Sequence, residues 1–427
     1  MLLEFKVKNY KSIKDWQSFS LLAEGSINEL KDNVVNIESF NVLTTSLIYG
    51  RNASGKSNLL NAIRTFQHLI FESSNFKVDK IISLYEPYKL DESFSNKPTE
   101  FQIDFLAKNN VRYIYEIGFS KYEIVYEILK FYPKNHPATL FERKKGFKIK
   151  YGEYFTGRKK DIEDKLYKNQ LFLSKTATNK LNTLIPAYKF LSNGLFVYSF
   201  HDSSFDDMLT RVYTNRIADD KVSFFKENMN LLMKEADTGI ESIEVSEENI
   251  DINSLPEEMS EQEKIDLINR FKHKIRTVHR IFKDGKEVGF TKFKLEDEST
   301  GTIKLLGIGG LILEALDDGQ TLIIDELDKS LHPKLTKVLI KIFQSKRTNP
   351  KNAQLIFATH DVSLLDNTLF RRDQVWFAEK EFEGCSHYYS ISDISGVRAT
   401  SPYEKYYMSG RLGAIPVINE NELNFQF

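Results

Sequence analysis

The stretch LIYGRNASGKSN, residues 47–58, decides how the rest of the chain is read. A short apolar run reaches Gly50, a loop closes at Gly55, and Lys56-Ser57 opens the amphipathic pattern LLNAIRTFQHLIF. Gly50 to Ser57 matches G-x-x-x-x-G-K-[ST] in full, with a strand expected before it and a helix after it. In such a loop, backbone N–H groups turn inward toward phosphate oxygens, and the helix N-terminus adds partial positive charge. Gly50, Arg51, Asn52, Ala53, Ser54, Gly55, Lys56 and Ser57 are therefore the candidate cradle. Lys56 would reach the β- and γ-phosphates of ATP, and Ser57 would ligate Mg²⁺. The bland alternative is a chance glycine turn.

Further along, TLIIDELD delivers Asp325 to the end of an apolar run, where a carboxylate could hold Mg²⁺ through water. Glu326 follows, placed to polarise an attacking water as a general base. AQLIFATHD supplies another apolar run, ending at His360, which could bond the γ-phosphate or be merely structural. Apolar runs alternate with helical patterns (IKLLGIGGLILEAL, HPKLTKVLIKIFQS), which argues for an α/β fold with a parallel sheet.

Between these ends the character differs. Leu3, Phe5 and Val7 alternate with charged residues as in a half-buried strand. Residues 100–120 read as a hairpin turning near Asn109-Asn110, and RTVHRIFKDGKEVGFTKFKL as another turning at Asp284-Gly285. From about 130 to 285 basic clusters and short helical stretches appear, and the acidic segment 244–264 reads as an exposed connection. We expect an N-terminal lobe over 1–128, an inserted helical and hairpin subdomain over 129–285, and a C-terminal lobe over 286–427.

Composition narrows the classes. The 427 residues carry 59 Lys plus Arg against 60 Asp plus Glu, so no global basic field argues for nucleic acid. Local patches leave nucleic acid possible: Lys144, Lys145, Lys148 and Lys150, then Arg158, Lys159 and Lys160, then Arg276 with Arg280. Apolar residues make up 41%, enough for a core rather than a disordered chain. The single cysteine, Cys385, excludes an intrachain disulfide and fits a reducing compartment. The N-terminus lacks a signal-peptide apolar stretch, and the longest apolar run, 305–316, falls short of the roughly 20 residues a membrane span needs. A cytoplasmic protein with no membrane partner is expected.

DESTGTIKLL places Ser299 and Gly301 just before a helix and ahead of the Asp-Glu pair. The order P-loop, Ser-x-Gly, Asp-Glu, His resembles that of ABC-type ATPases, although the usual Leu-Ser-Gly-Gly is missing. An ordinary Ser/Thr helix cap is the competing reading. NYKSIKDW resembles the opening strand of RecF and SMC-type heads, and GRNASGKSN is similar to their P-loop, including Asn52 and Asn58. DELDKSLHP, EADTGI (235–240), RRDQVWFAEK (371–380) and YYMSGRLGAIPVI (406–418) together resemble bacterial AAA-type ABC-like ATPases, the group that includes RloA and the abortive-infection ATPase AbiL.

That resemblance implies an ABC-type (RecF/SMC-like) P-loop ATPase head split by an insertion, and an ATP-sandwiched homodimer or higher homo-oligomer. Lys56, Ser57, Asn58, Asp325, Glu326 and His360 would serve one nucleotide; Ser299 and Gly301 would serve the partner's; Asp328 would lie at the dimer contact. Lys11 and Ser12 could touch the nucleotide, and Gln102 is a candidate glutamine-loop residue. The resemblance implies a sensor or regulator in anti-phage defence, working with a separately encoded effector, an RloB-like nuclease or a toxin. Two alternatives stay open: a RecF/SMC-like DNA repair or recombination ATPase, and a nucleotide-gated scaffold with little turnover. The motif GRLGAIP, 410–416, yields no chemistry from its residues and reads as a packed tail closing the head.

Overall fold

Leu47 and Ile48 lie in the strand Thr45–Tyr49, whose five residues are all buried. A strand covered on both faces belongs in the middle of a parallel sheet. The computed structural model shows that sheet; it describes residues 1–416 except 135, 158, 178–182, 200–202, 220–223, 248–250 and 330. The sheet has six strands, ordered Leu195–Ser199, Thr321–Asp325, Gln354–Ala358, Thr45–Tyr49, Val375–Lys380 and Ser386–Ser390. Thr321–Asp325, Gln354–Ala358, Thr45–Tyr49 and Val375–Lys380 run parallel, and Ser386–Ser390 closes the edge antiparallel.

The same unit holds a seven-stranded antiparallel sheet built on Leu2–Lys8, which pairs with Gln17–Ser20 on one side and Thr99–Leu106 on the other. The helix Lys56–Glu72 buries Leu59, Ile63, Phe66 and Ile70 in its core. Phe66 meets the rings of Phe5, Phe101 and Tyr115 at 5.9, 5.9 and 6.0 Å. The core continues into Ile323, Ile356 and Ala358 of the parallel strands.

The chain forms two compact units: 1–198 with 318–327 and 337–427, and 199–317 with 328–336. The expected boundaries fall elsewhere. Residue 128/129 lies inside the strand Ile124–Phe131, and Ala138–Lys144 and Lys150–Tyr151 extend the same antiparallel sheet. The basic composition after 130 thus marks exposed outer strands, not a new domain. Residue 285/286 lies in the turn of the hairpin His273–Lys283 and Lys286–Lys294. That hairpin, with Ser242–Glu247, makes the three-stranded sheet of the second unit, and the unit also contains the start and body of the helix Thr300–Asp318. Part of the acidic segment expected as a connection is therefore strand, because Ile243 and Val245 alternate beneath the charges and pair with Thr277 and Ile275. Among the described residues no helix is long and apolar enough to cross a membrane.

Buried polar side chains stitch the first unit together. Gln354 accepts from the Leu2 N–H and donates to the carbonyls of Leu2 and Leu43. Arg371, 2% exposed, pairs with Asp373 at 2.7 Å and donates to the carbonyls of Ile27 and Glu29. RRDQVWFAEK is thus a structural motif in its first half: Gln374 next to this pair bonds the backbone of Thr45. Removing one partner of a buried pair leaves an uncompensated charge, so Arg371→Ala is expected to cost about 3–5 kcal/mol in urea unfolding. Arg371→Met with Asp373→Leu should recover part of that loss; an Arg371→Ala midpoint equal to the native one would show that the pair carries nothing.

Candidate active site

The parallel register sets the carboxyl ends of three strands on one edge. Ile324 lies beside Phe357, and Ala358 beside Ile48. Thr359 N–H donates to Ile48 O at 3.2 Å, and Leu327 N–H to Ala358 O at 3.3 Å. Asp325, His360 and Gly50 each follow the last residues of those pairings, so one crevice edge receives all three. Ligands of open parallel sheets bind at such an edge.

The loop itself is held from behind. Gly55 has φ +112°, and a Cβ there would stand 2.2 Å from Ser386 Oγ and 2.9 Å from Tyr388 Oη. A side chain at Gly50 would likewise meet Ala378 O at 2.4 Å. Ser386 Oγ donates to Ser54 O at 2.7 Å, and Tyr388 Oη donates to Gly55 O at 2.8 Å. Because Ser386 spends its proton on that carbonyl, it accepts from Ser12 Oγ (2.7 Å), which accepts from Asn58 Nδ2 (2.7 Å). One directed chain, Asn58 to Ser12 to Ser386 to Ser54, therefore fixes the loop. Burial pushes the Tyr388 phenol well above its usual range, so it remains a donor. The structure thus places Ser12 and Asn58, expected to touch nucleotide, in the loop's buttress.

Lys56, 6% exposed, donates from Nζ to Gly50 O (2.8 Å) and Arg51 O (3.2 Å) across the loop. Arg51 Nη2 donates to Lys380 O at 3.3 Å, and Asn52 and Ala53 are exposed at the loop tip, with Ala53 at φ +61°. Ser57 is half-buried in the first turn of the helix. Asp325 is 3% exposed, and Glu326 adopts φ +60°, a left-handed backbone that a non-glycine residue rarely takes without a reason in its surroundings. His360 is exposed and lines, with Tyr49, Gly50, Arg51 and Asn52, a cavity of about 560 Å³.

The glycine cradle, the helix head and the hydroxyl-plus-carboxylate donor set fit a nucleoside triphosphate with Mg²⁺, a hard cation usually held by one or two carboxylates plus substrate phosphates. Ser57 and Asp325 are the residues that would hold the ion.

Other expected residues have contacts of their own. Ser299 caps the helix Thr300–Asp318: its Oγ accepts from Thr302 N–H at 3.1 Å, with Gly301 in the first turn. Both belong to the second unit, as does Asp328, whose carbonyl accepts from Leu331 N–H and whose Oδ1 is buried without a hydrogen-bond partner among the described residues. Lys11 pairs with Glu86 at 3.4 Å. Gln102 sits mid-strand opposite Lys6 and Glu116 in the antiparallel sheet, away from any loop. In the basic patches Lys144 pairs with Glu142, Lys145 with Glu123 and Arg280 with Glu241, while Lys159 lies over Tyr151; Arg158 lies outside the described residues.

The profile of the family described as "AAA domain, putative AbiEii toxin, Type IV TA system" matches residues 46–366, about three quarters of the chain. The chain belongs to that family. The match begins in the P-loop strand and ends just past His360. The chain is similar to a solved structure of the recombination mediator protein RecF with ATP, in the RecFOR pathway, at 17% identity and TM-score 0.37, covering 91% of this chain and 97% of that one. It is also similar to the Smc head domain bound to the C-terminal domain of ScpA from Pyrococcus furiosus, at 13% identity and TM-score 0.38, covering 91% and 96%. No curated protein matches the chain.

Sequence reading missed Ser386 and Tyr388 as parts of this site; both lie far from the loop in the chain, and no local pattern marks them. Gly55→Ala should displace the loop against Ser386 and lower stability by about 1–3 kcal/mol. Saturating Mg-ATP should raise the melting temperature of the native chain and leave that of Gly55→Ala unmoved. An equal rise in both would remove the loop from nucleotide binding.

Proposed function

We propose that the chain is a Mg²⁺-dependent ATPase that cycles between open and ATP-sandwiched homodimers. It would act as the sensor or regulatory subunit of a bacterial anti-phage system with a separately encoded nuclease or toxin. The observation that carries the enzymatic part is the shared edge of the parallel sheet, where P-loop, Asp325-Glu326 and His360 follow adjacent strand ends. The defence role rests on the toxin and toxin–antitoxin wording of the family's description and on the motif resemblance at both ends.

In this reading the loop N–H groups and Lys56 bind the phosphates of ATP, Lys56 exchanging its contacts with Gly50 O and Arg51 O for phosphate oxygens. Bound Mg²⁺ would supply charge neutralisation to the phosphates. Glu326 takes the proton of the attacking water, and His360 donates a hydrogen bond to the terminal phosphate as charge builds on it. Ser299 and Gly301, at a helix N-terminus, reach the nucleotide of the second subunit, and Asp328 packs at the dimer contact.

Glu326→Gln should cut hydrolysis by about 10²- to 10⁴-fold while ATP still binds. In light scattering, Glu326→Gln should double in mass on addition of Mg-ATP, and Ser299→Arg in that background should prevent the doubling. A mass indifferent to nucleotide, with ATP bound, would sink the shared site and leave Ser299 as the helix cap it already is.

A further inference from the structure

The motif GRLGAIP is the part of the sequence that the ATPase reading leaves without a task. In the fold it is a strap bound to the first limb of the P-loop. The helix Tyr403–Met408 lays Tyr407 flat on Phe377 (5.7 Å, 11°) and near Tyr49 (5.9 Å), the residue that precedes Gly50. The chain then folds back through Gly410 N–H to Tyr407 O (2.8 Å), Arg411 N–H to Tyr406 O (2.9 Å) and Gly413 N–H to Gly410 O (3.1 Å). Leu412 and Ala414 are each 1% exposed. Leu412 O accepts from Tyr389 Oη at 3.0 Å. Ala414 O accepts twice, from Arg51 N–H at 3.1 Å and Tyr407 Oη at 3.3 Å. Ala414 itself holds φ +53°, a conformation that a residue with a Cβ keeps only where its surroundings impose it.

The P-loop therefore has two separate anchors. Ser386 and Tyr388 hold the carbonyls of Ser54 and Gly55, where the helix begins. The strap holds the N–H of Arg51, on the limb that leaves the strand. The second anchor also builds a wall: Tyr407, Met408, Ile415 and Pro416 line the 560 Å³ cavity with Gly50, Arg51, Asn52 and His360. This volume lies within the range of small-ligand sites, about 300–1,000 Å³. In P-loops the helix head cradles the inner phosphates, whereas Lys56 and the groups facing it reach outward to the γ-phosphate. His360, assigned above to that terminal phosphate, shares the strap's cavity.

Resting on the ATPase reading, we propose that Tyr407 and the strap 410–416 are positioning elements for the terminal phosphate. They act through Arg51 and the first limb of the loop, and set the preference for nucleoside triphosphate over diphosphate. A strap that only held the fold together would affect both nucleotides alike.

The test is calorimetric titration of the full chain with a non-hydrolysable ATP analogue and with ADP, both with Mg²⁺, beside thermal melts. Gly413 holds φ +71°, and a Cβ there would stand 2.3 Å from Tyr389 Oη, so Gly413→Ala strains the strap and its contact with Tyr389 at a position outside the P-loop. It should weaken the triphosphate analogue about tenfold and ADP by less than about twofold. Tyr407→Ala should act in the same direction, and Tyr407→Phe, which keeps the ring stack, should restore most of the preference; these two carry the test if Gly413→Ala does not fold. Equal weakening of both nucleotides, or an unchanged preference in folded Gly413→Ala and Tyr407→Ala, overturns the strap's role while ATP binding by the native chain stands. A native chain that binds neither nucleotide overturns the ATPase reading, and the strap with it.

Discussion

The turn from Tyr49 to Lys56 must leave a fully buried strand and enter a largely buried helix within a few residues, and it can do so only without a side chain at Gly55. Two carbonyls of that turn accept from side chains of Ser386 and Tyr388, which belong to the antiparallel edge strand of the same sheet. The edge strand in turn reaches the N-terminal strand region through Ser386 N–H to Ser12 O at 2.7 Å. Three segments widely separated in the chain thus converge on one loop. A cradle for phosphate needs its N–H groups aimed in advance, since donors that must reorganise lose much of their value. The remote clamps provide that aim.

How much of this was legible in the sequence follows from the range of the interactions. Strand, loop and helix around Gly50–Ser57 are a contiguous pattern, and so are the apolar runs that deliver Asp325 and His360 to strand ends. Parallel pairing then brings them to one edge, a consequence of alternation that the sequence also displays. The clamp is different. Ser386 and Tyr388 sit in SHYYS, which looks like any amphipathic strand, and their partners lie more than 300 residues earlier. Asn58 and Ser12 were noticed for resembling nucleotide contacts, yet their polar atoms serve the clamp. The unit boundaries were misplaced for a related reason: the basic composition after 130 tracks exposure of outer strands, and exposure changes within a sheet as readily as between domains.

Burial explains why RRDQVWFAEK attracts attention as a motif. Arg371 and Gln374 are charged or polar residues in a setting that excludes water, so each must find its partners within the protein. They find them in Asp373, in carbonyls near Glu24 and Glu29, and in Thr45 at the root of the P-loop strand. Gln354 performs the same service between Leu2, Leu43 and Thr321. Such residues fix the register of the strands that carry the site, because a shifted strand would strand a buried amide or guanidinium. Their demands are as specific as those of catalysis, and from sequence alone the two are indistinguishable.

Non-glycine residues with positive φ stand in this region at three places: the P-loop tip (Ala53), just past the Asp325 strand (Glu326) and the strap (Ala414). None of these is a conformation that a residue with a Cβ takes readily. Ala414 is held by the same carbonyl that anchors Arg51, and Tyr407 beneath it stacks on the strand Val375–Lys380. One hydrogen bond thus joins the strap to the first limb of the loop, and one aromatic stack seats it on the sheet. A ligand that moved the first limb of the loop would change the Arg51 to Ala414 bond, and with it the energy of holding Ala414 left-handed. That is a mechanical link between the phosphate site and the C-terminal segment, made from contacts that also close the core.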